Sequence, residues 1–305
     1  MTGKATGHVT RSVVGRFAPS PTGDLHLGNL RTALVAWLAA RAEGGGFLVR
    51  MEDLDRVTSS RDHERSQLAD LAAIGIDWDA EPVRQSERFD LYESAIAQLS
   101  AAGLTYPCYC TRREIREAAA APHGEPADGI YPGTCRAITT REQGEREAAG
   151  RRPALRLRAT VERESFVDEF VGPVEGVVDD VVLRRNDGVP AYNLAVVIDD
   201  HLQGVTQVVR GDDLIPSTPR QIHLAHLLGL PIPRFVHVPL VLAPNGDRLA
   251  KRHGAVTLAD LAARGVTVDD ARRRLEASLG LTDNASSFRI AGLSREPWRL
   301  GSNDL

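Results

Sequence analysis

Arg16 to Asp55 reads RFAPSPTGDLHLGNLRTALVAWLAARAEGGGFLVRMEDLD. Val13 to Phe17 is a short β-branched run, and Pro19, Pro21 and Gly23 break it into a loop. Leu30, Leu34, Trp37, Leu38 and Arg41 then recur at helical spacing until Gly44, Gly45 and Gly46 stop the helix, and a second apolar run covers Phe47 to Met51. Strand, loop, helix and strand within about forty residues make a βαβ unit, whose crossover is right-handed and whose ligand sits beyond the carboxyl ends of the strands. Ser20 to Asn29 is therefore expected over the site.

The loop chemistry fits a nucleotide phosphate. Asp24 or His26 falls just before or at the first turn of the helix, where unpaired backbone N–H groups and the helix dipole attract anions, and Gly28 opens the backbone to a bulky ligand. The loop is neither GxGxxG nor GxxxxGK[ST], which excludes the two commonest phosphate motifs. His26-Leu27-Gly28-Asn29 resembles the HIGH signature of class I aminoacyl-tRNA synthetases, with Asn29 in place of the second His. Arg16-Phe17-Ala18-Pro19-Ser20-Pro21-Thr22-Gly23 resembles the opening motif of the glutamyl branch.

A length of 305 residues allows a large core and two or three domains. Net charge of −4 and 42% hydrophobic content describe an ordinary globular protein, so a nucleic-acid surface would have to be a local basic patch. The N-terminal MTGKATGHVTRSVV lacks an apolar core of signal-peptide length and no apolar run is long enough to span a bilayer, so a cytoplasmic protein without membrane attachment is expected. Of 37 basic residues only Lys4 and Lys251 are lysines, which makes the position of Lys251 informative.

From Asp53 to Gly103 the chain reads as helices of the same domain, over Glu64 to Leu71 and Phe89 to Leu99, with Gly75 and Gly103 as stops. Gln85-Ser86-Glu87-Arg88 reads as the N-terminal cap of the second of these, although it also resembles the glutamyl branch. All three cysteines follow, at Cys108, Cys110 and Cys135. The CxC pair is too close for a relaxed disulfide, and a third thiol nearby points to a metal, for which zinc needs four tetrahedral ligands. Ligand frequency alone would make His123 the fourth. The short paralogues of glutamyl-tRNA synthetase, the glutamyl-Q tRNA(Asp) synthetases, carry a Tyr four residues before the third Cys, and Tyr131-Pro132-Gly133-Thr134-Cys135 matches that frame. The resemblance thus implies Tyr131 as the fourth ligand of a structural Zn²⁺.

Pro122 to Arg152 is rich in Gly, Pro and alternating charge and reads as a surface insertion. Arg151, Arg152, Arg156 and Arg158 form a basic run with alternate residues on one strand face, which suits either solvent or an RNA backbone; in the family this insertion faces the RNA. Val181 to Leu183, a turn at Asn186-Asp187-Gly188 and Val189 to Ile198 read as a hairpin, followed by a strand over Val205 to Arg210. Ser217 to Leu228 reads as a helix capped by Ser217 or Thr218, and Val236 to Leu242 as a further strand.

The spacing of Tyr192 and Arg210, with Glu52 in Arg50-Met51-Glu52-Asp53, matches the glutamate pocket of the family. On that resemblance Arg16, Phe17, Ala18, Pro19, Ser20, Glu52, Tyr192 and Arg210 bind glutamate: the two arginines as forks for carboxylates, Glu52 for the ammonium, Tyr192 for a directional hydrogen bond. Asn245-Gly246-Asp247-Arg248-Leu249-Ala250-Lys251-Arg252 resembles the KMSKS loop, with Arg248 and Arg252 departing from its first Lys and last Ser. His26, Gly28, Asn29 and Lys251 would then bind ATP, with His26 and Lys251 catalytic.

The implied architecture is α/β: a Rossmann-type parallel-sheet catalytic domain, 13–105 and 191–246, an inserted zinc-containing α+β subdomain, 106–190, and a short helical part after the KMSKS-like loop, 247–305, too small for an anticodon-binding domain. The implied reaction is activation of L-glutamate by ATP, carried with Mg²⁺, and transfer to queuosine in the anticodon of tRNA(Asp) by a monomeric enzyme. A truncated glutamyl-tRNA synthetase charging a tRNA 3′ end is the same-class alternative. A non-catalytic RNA- or nucleotide-binding paralogue is the other.

Overall fold

The computed structural model describes residues 12–119, 130–247, 249, 256–281 and 288–301. Strands β1 (Val14–Phe17) and β2 (Gly46–Met51) run parallel, Val14 opposite Gly46 and Phe17 opposite Val49, and helix α1 (Leu27–Ala42) crosses between them. The helix is apolar nearly all round, as a helix packed on both sides must be, and Leu27, Leu30, Ala33, Leu34 and Val35 are fully buried. Gly15 allows its close approach, since a Cβ there would lie 2.9 Å from the Cβ of Ala40. Helix α2 (Arg61–Ala73) leads to β3 (Val83–Arg84), which pairs parallel with β2, and a 3₁₀ turn at Gln85–Glu87 leads to α3 (Phe89–Ala101).

After β4 (Thr105–Cys108) come α4 (Arg112–Ala119), α5 (Thr140–Ala148) and β5 (Ala154–Leu157), then the antiparallel hairpin of β6 (Arg163–Asp168) and β7 (Gly172–Val177), then β8 (Val182–Arg184). Strands β4, β5 and β8 form a separate antiparallel sheet. Helix α6 (Tyr192–Leu202), β9 (Gln207–Gly211), α7 (Thr218–Leu228) and β10 (Arg234–Val238) complete the second parallel set, in which β10 lies between β9 and β6. Thr206 N donates to Val14 O at 2.9 Å, which sets β9 beside β1. The strand order therefore reverses between β1 and β9, the place where an open α/β sheet parts to admit ligand. The β6 strand lies within the interval expected for the insertion, yet it pairs parallel with β10 of this sheet.

Strands β11 (Val241–Leu242) and β12 (Trp298–Arg299) pair in parallel, with α8 (Leu258–Ala263) and α9 (Val268–Ser278) between them. Ala271, Leu275, Phe288 and Leu300 join the core around α1, so the C-terminal region packs into the parallel-sheet unit. Arg31 of α1, fully buried, is held there by the carbonyls of Pro239 and Ser278.

Three elements differ from their sequence reading. Tyr192 opens a helix, not a strand: pairing ends at the Arg184–Pro190 bridge, where proline has no N–H to continue it, and Leu194, Ala195 and Ile198 then fall on one buried face. The run Val236 to Leu242 is divided at Pro239 into β10 and β11. Gln85 to Arg88 is not a side-chain cap; Gln85 and Arg88 reach Asp199, and Ser86 reaches Asp53. Among the described residues no helix is long and apolar enough to cross a membrane.

Candidate active site

The carboxyl ends of β1, β2 and β9, with α1 and α6, surround a cavity of about 490 Å³. Arg16, Phe17, Ala18, Pro19, Ser20, Glu52, Tyr192 and Arg210 line it, and so do His26, Gly28 and Asn29. Lys251, the remaining candidate, lies outside the described residues, as do Arg248 and Arg252; Leu249 lines the cavity. Backbone bonds fix the loop above it: Glu52 N donates to Pro19 O and Ser60 N to Pro21 O. Gln67 of α2, which the sequence did not single out, donates through Nε2 to the carbonyls of Ser20 at 3.1 Å and Gly23 at 2.7 Å.

His26 is the N-cap of α1. Its Nδ1 accepts from Gly28 N at 3.1 Å and Asn29 N at 3.3 Å, while the Asn29 side chain accepts from His26 N. Leu27 N donates to Val256 O. The first three N–H groups of the helix are thus satisfied by protein, and the expectation of unpaired N–H groups for phosphate is corrected. Accepting at Nδ1 puts the proton of the neutral imidazole on Nε2, as a donor. Gly28 is needed by the ring itself, since a Cβ there would stand 2.9 Å from His26 Cε1.

Arg16 and Arg50 share an acid that the sequence reading missed. Arg50, completely buried, donates from Nη1 to Asp200 at 2.7 Å and from Nη2 to Glu52 at 3.2 Å, with Asp199 at 3.8 Å. Arg16 reaches Asp200 at 3.4 Å and the Val209 carbonyl at 3.2 Å. Burial alone would push the Asp200 carboxyl up, but Arg50 and Arg16 hold it below its ordinary value. Burial prevails at Glu52, whose pKa is raised despite Arg50 and Arg16. Two consecutive acids on the buried face of α6, Asp199 and Asp200 after Ile198, were the available signal.

Arg210, at the end of β9, is also 5% exposed or less and is held along one edge. Its Nε donates to His237 Nε2 at 3.0 Å and its Nη2 to Thr218 Oγ1 at 2.8 Å. His237 Nδ1 stands 2.7 Å from Asp168 Oδ2, which fixes the tautomer with the proton on Nδ1. Burial, then the charge of Arg210, lowers the His237 pKa and outweighs its bond to Asp168. A histidine between Val236 and Val238 in a buried strand could have marked it.

The cysteines gather beside the β4 strand. Their three Sγ atoms lie within 4.8 Å of one another, all three thiols free, with Cys110 Sγ and Cys135 Sγ 3.4 Å apart. The Tyr131 hydroxyl lies 3.4 Å from Cys108 Sγ and 3.8 Å from Cys110 Sγ, and accepts from Cys135 N. Around a tetrahedral ion, sulfurs at about 2.3 Å would sit roughly 3.8 Å apart, so the spread of the four donors fits a closed site. His123 lies outside the described residues. Arg156 is buried with its guanidinium 3.6 Å from the Tyr131 ring centroid, and Arg158 lies over Tyr106, so two of the four arginines of the basic run cover aromatic rings.

The profile described as the catalytic domain of class I tRNA synthetases (E and Q) matches residues 12–279. The chain belongs to that family. Among its relatives is a glutamyl-Q tRNA(Asp) synthetase of Nocardia farcinica, 59% identical over 95% of this chain and 94% of that protein. Another of that name, from Symbiobacterium thermophilum, is 48% identical over 94% and 95%. A crystal structure of a glutamate tRNA ligase from Elizabethkingia meningosepticum superposes with a TM-score of 0.75 at 25% identity, covering 96% of this chain and 68% of that one. The cavity lies at the strand-order reversal, the place where open α/β sheets take their ligands.

Proposed function

We propose that the protein activates L-glutamate with ATP and transfers it to the queuosine base in the anticodon of tRNA(Asp). The observation that carries this reading is the convergence of Arg16, Arg210 and Glu52 on one cavity with His26 at the helix start beside them. Glutamate presents two carboxylates and an ammonium, and two guanidinium groups with one carboxylate complement those charges better than they complement glutamine. The names of the relatives supply the acceptor.

In the first step the α-carboxylate attacks the α-phosphate of MgATP and pyrophosphate leaves; in the second an RNA hydroxyl attacks the acyl carbon and AMP leaves. Arg16 and Arg210 orient the carboxylates, Glu52 pairs with the ammonium, and Tyr192 at the start of α6 gives a directional contact. His26 Nε2 and Lys251 stabilise charge on the phosphates, and Gly28 and Asn29 shape the nucleotide end of the cavity. No side chain acts as nucleophile. Cys108, Cys110, Tyr131 and Cys135 hold a Zn²⁺ that ties the loop before α5 to β4; with four protein ligands its contribution is to folding. The enzyme acts in the cytoplasm as a monomer.

The test is transfer of labelled glutamate to tRNA with and without queuosine, followed by mapping of the labelled nucleotide. Label at the anticodon only in queuosine-containing tRNA(Asp) is expected. Label at a 3′ end would replace this reading by that of a glutamate–tRNA ligase, a name carried by a relative in Oleidesulfovibrio alaskensis that is 46% identical over 54% of its own length. Absence of glutamate-dependent ATP–pyrophosphate exchange would leave a non-catalytic paralogue.

A further inference from the structure

A guanidinium has two edges that can grip a carboxylate: the side edge of Nε and one terminal nitrogen, and the end edge of the two terminal nitrogens. At Arg210 the side edge is occupied by His237 Nε2 and Thr218 Oγ1, which are themselves 3.1 Å apart. His237 stands directly opposite Arg210 in the ladder between β10 and β9, and Thr218 is the first residue of α7. Behind them Asp168, fully buried, accepts from the backbone N–H groups of Phe170 and Val171 and from both the N–H and the ring of His237. The ring of Phe235 stacks on His237 at 6.0 Å and lies under the guanidinium at 5.4 Å.

We infer that His237, fixed by Asp168, and Thr218 are positioning residues for substrate specificity: they hold Arg210 so that its Nη1–Nη2 edge is presented to a carboxylate of glutamate. The inference rests on the reading of this cavity as a glutamate pocket. A free guanidinium on three methylenes would sample many orientations, and a preoriented fork discriminates a carboxylate from the isosteric amide, which answers only one of its donors. Asp168 fixes which histidine nitrogen accepts; an imidazole with the opposite tautomer would turn an N–H toward Arg210 and drive it out of register. None of the three needs to touch the substrate.

The experiment measures ATP–pyrophosphate exchange against glutamate and against ATP for Arg210→Ala, His237→Leu, His237→Gln and Thr218→Val, with Tm for each. His237→Leu is expected to raise the glutamate KM about tenfold, and Thr218→Val about three- to tenfold, with the ATP KM within about twofold of wild type, as for loss of one charge-assisted hydrogen bond. His237→Gln, whose Oε1 can accept from Nε, is expected to recover most of the loss. Glutamate KM values unchanged in His237→Leu and Thr218→Val while Arg210→Ala raises it would overturn the positioning role and spare the pocket. An unchanged value in Arg210→Ala would overturn both. Equal rises for glutamate and ATP would mark a scaffold role and overturn the inference. Should His237→Leu fail to fold, Thr218→Val, which exchanges a hydroxyl for a methyl, decides.

Discussion

The cavity and the cysteine cluster both bury polar groups, but they do so with different partners. The arginines around the cavity are each held by protein along part of the guanidinium: Arg50, which bonds the lining residue Glu52 without lining the cavity itself, by Asp200 and Glu52, Arg16 by Asp200 and the Val209 carbonyl, Arg210 by His237 and Thr218. What remains of Arg16 and Arg210 faces the cavity. In the cluster three sulfurs and the Tyr131 oxygen have chiefly one another, with Arg156 over the ring as the near positive charge. Donors that answer partly to protein and partly to a cavity suit a ligand that comes and goes. Donors that converge on a common centre suit an ion that stays, because the free energy of binding it is folding free energy.

The comparison breaks first at Lys251. If the cavity performs adenylate formation, Lys251→Ala lowers kcat for ATP–pyrophosphate exchange by about two to three orders of magnitude, the usual loss for one preorganised electrostatic contact. Lys251→Arg recovers less than about a tenth of that, since a planar fork does not occupy the place of a point ammonium beside a phosphate. Transfer from preformed adenylate changes much less. Near-wild-type exchange by the alanine variant would remove the loop from the mechanism. Next comes Arg210→Ala, expected to raise the glutamate KM by about a hundredfold, equivalent to roughly 3 kcal/mol, because it leaves a buried carboxylate unanswered. The ATP KM should hardly move; equal losses for both substrates would put Arg210 in the scaffold.

The cluster should respond in stability and not in substrate affinity. Cys110→Ser is expected to release zinc, measured by elemental analysis, and to lower Tm by about 5 °C, on the order of 2 kcal/mol for a chain of this size. His123→Ala should leave the zinc content unchanged, whereas Tyr131→Phe should reduce it. Zinc lost from the histidine variant and retained by the phenylalanine variant would reverse the assignment of the fourth donor.

Much of this was legible because the two regions write themselves differently into the chain. The three cysteines fall within 28 residues, from 108 to 135, so their spacing brings them together, while Tyr131 joins them through the family resemblance. The βαβ unit was equally plain, its strands and helix following in order from Val14 to Met51. Asp168, Asp200 and His237 were harder to read, since Asp168 and Asp200 each stand beside a second acid, Glu169 and Asp199, His237 is one polar residue in an apolar strand, and each meets its buried partner only through the packing of distant elements. Tyr192 was placed on a strand because β-branched Val196, Val197 and Ile198 outweighed the helical spacing of Leu194, Ala195 and Ile198. The basic run was read as one face, yet burial draws Arg156 inward to Tyr131, which no alternation along a strand can foretell.

Two carboxylates, the buried Asp200 and the half-buried Asp70, show the same contrast between answered and unanswered charge on a smaller scale. Asp200 is held down by Arg50 and Arg16, whereas Asp70 of α2 is pushed up to about 6 by burial, with the charge of Asp24 adding to it. A carboxyl whose folded pKa is raised binds its proton more tightly when folded. Its ionised form therefore opposes folding above about pH 6, and the opposition fades as pH falls from there toward the unfolded value near 4. Asp70→Asn removes the charge and keeps the shape. It is expected to stabilise the protein by about 1 kcal/mol at pH 7.5, a figure reduced from the full shift because solvent screens a half-buried group. At pH 4 the gain should vanish, which denaturant titrations at the two pH values would read as a difference in midpoint. An equal gain at both would trace the effect to packing of α2, and a loss at pH 7.5 would mean that the Asp70 carboxylate is answered after all.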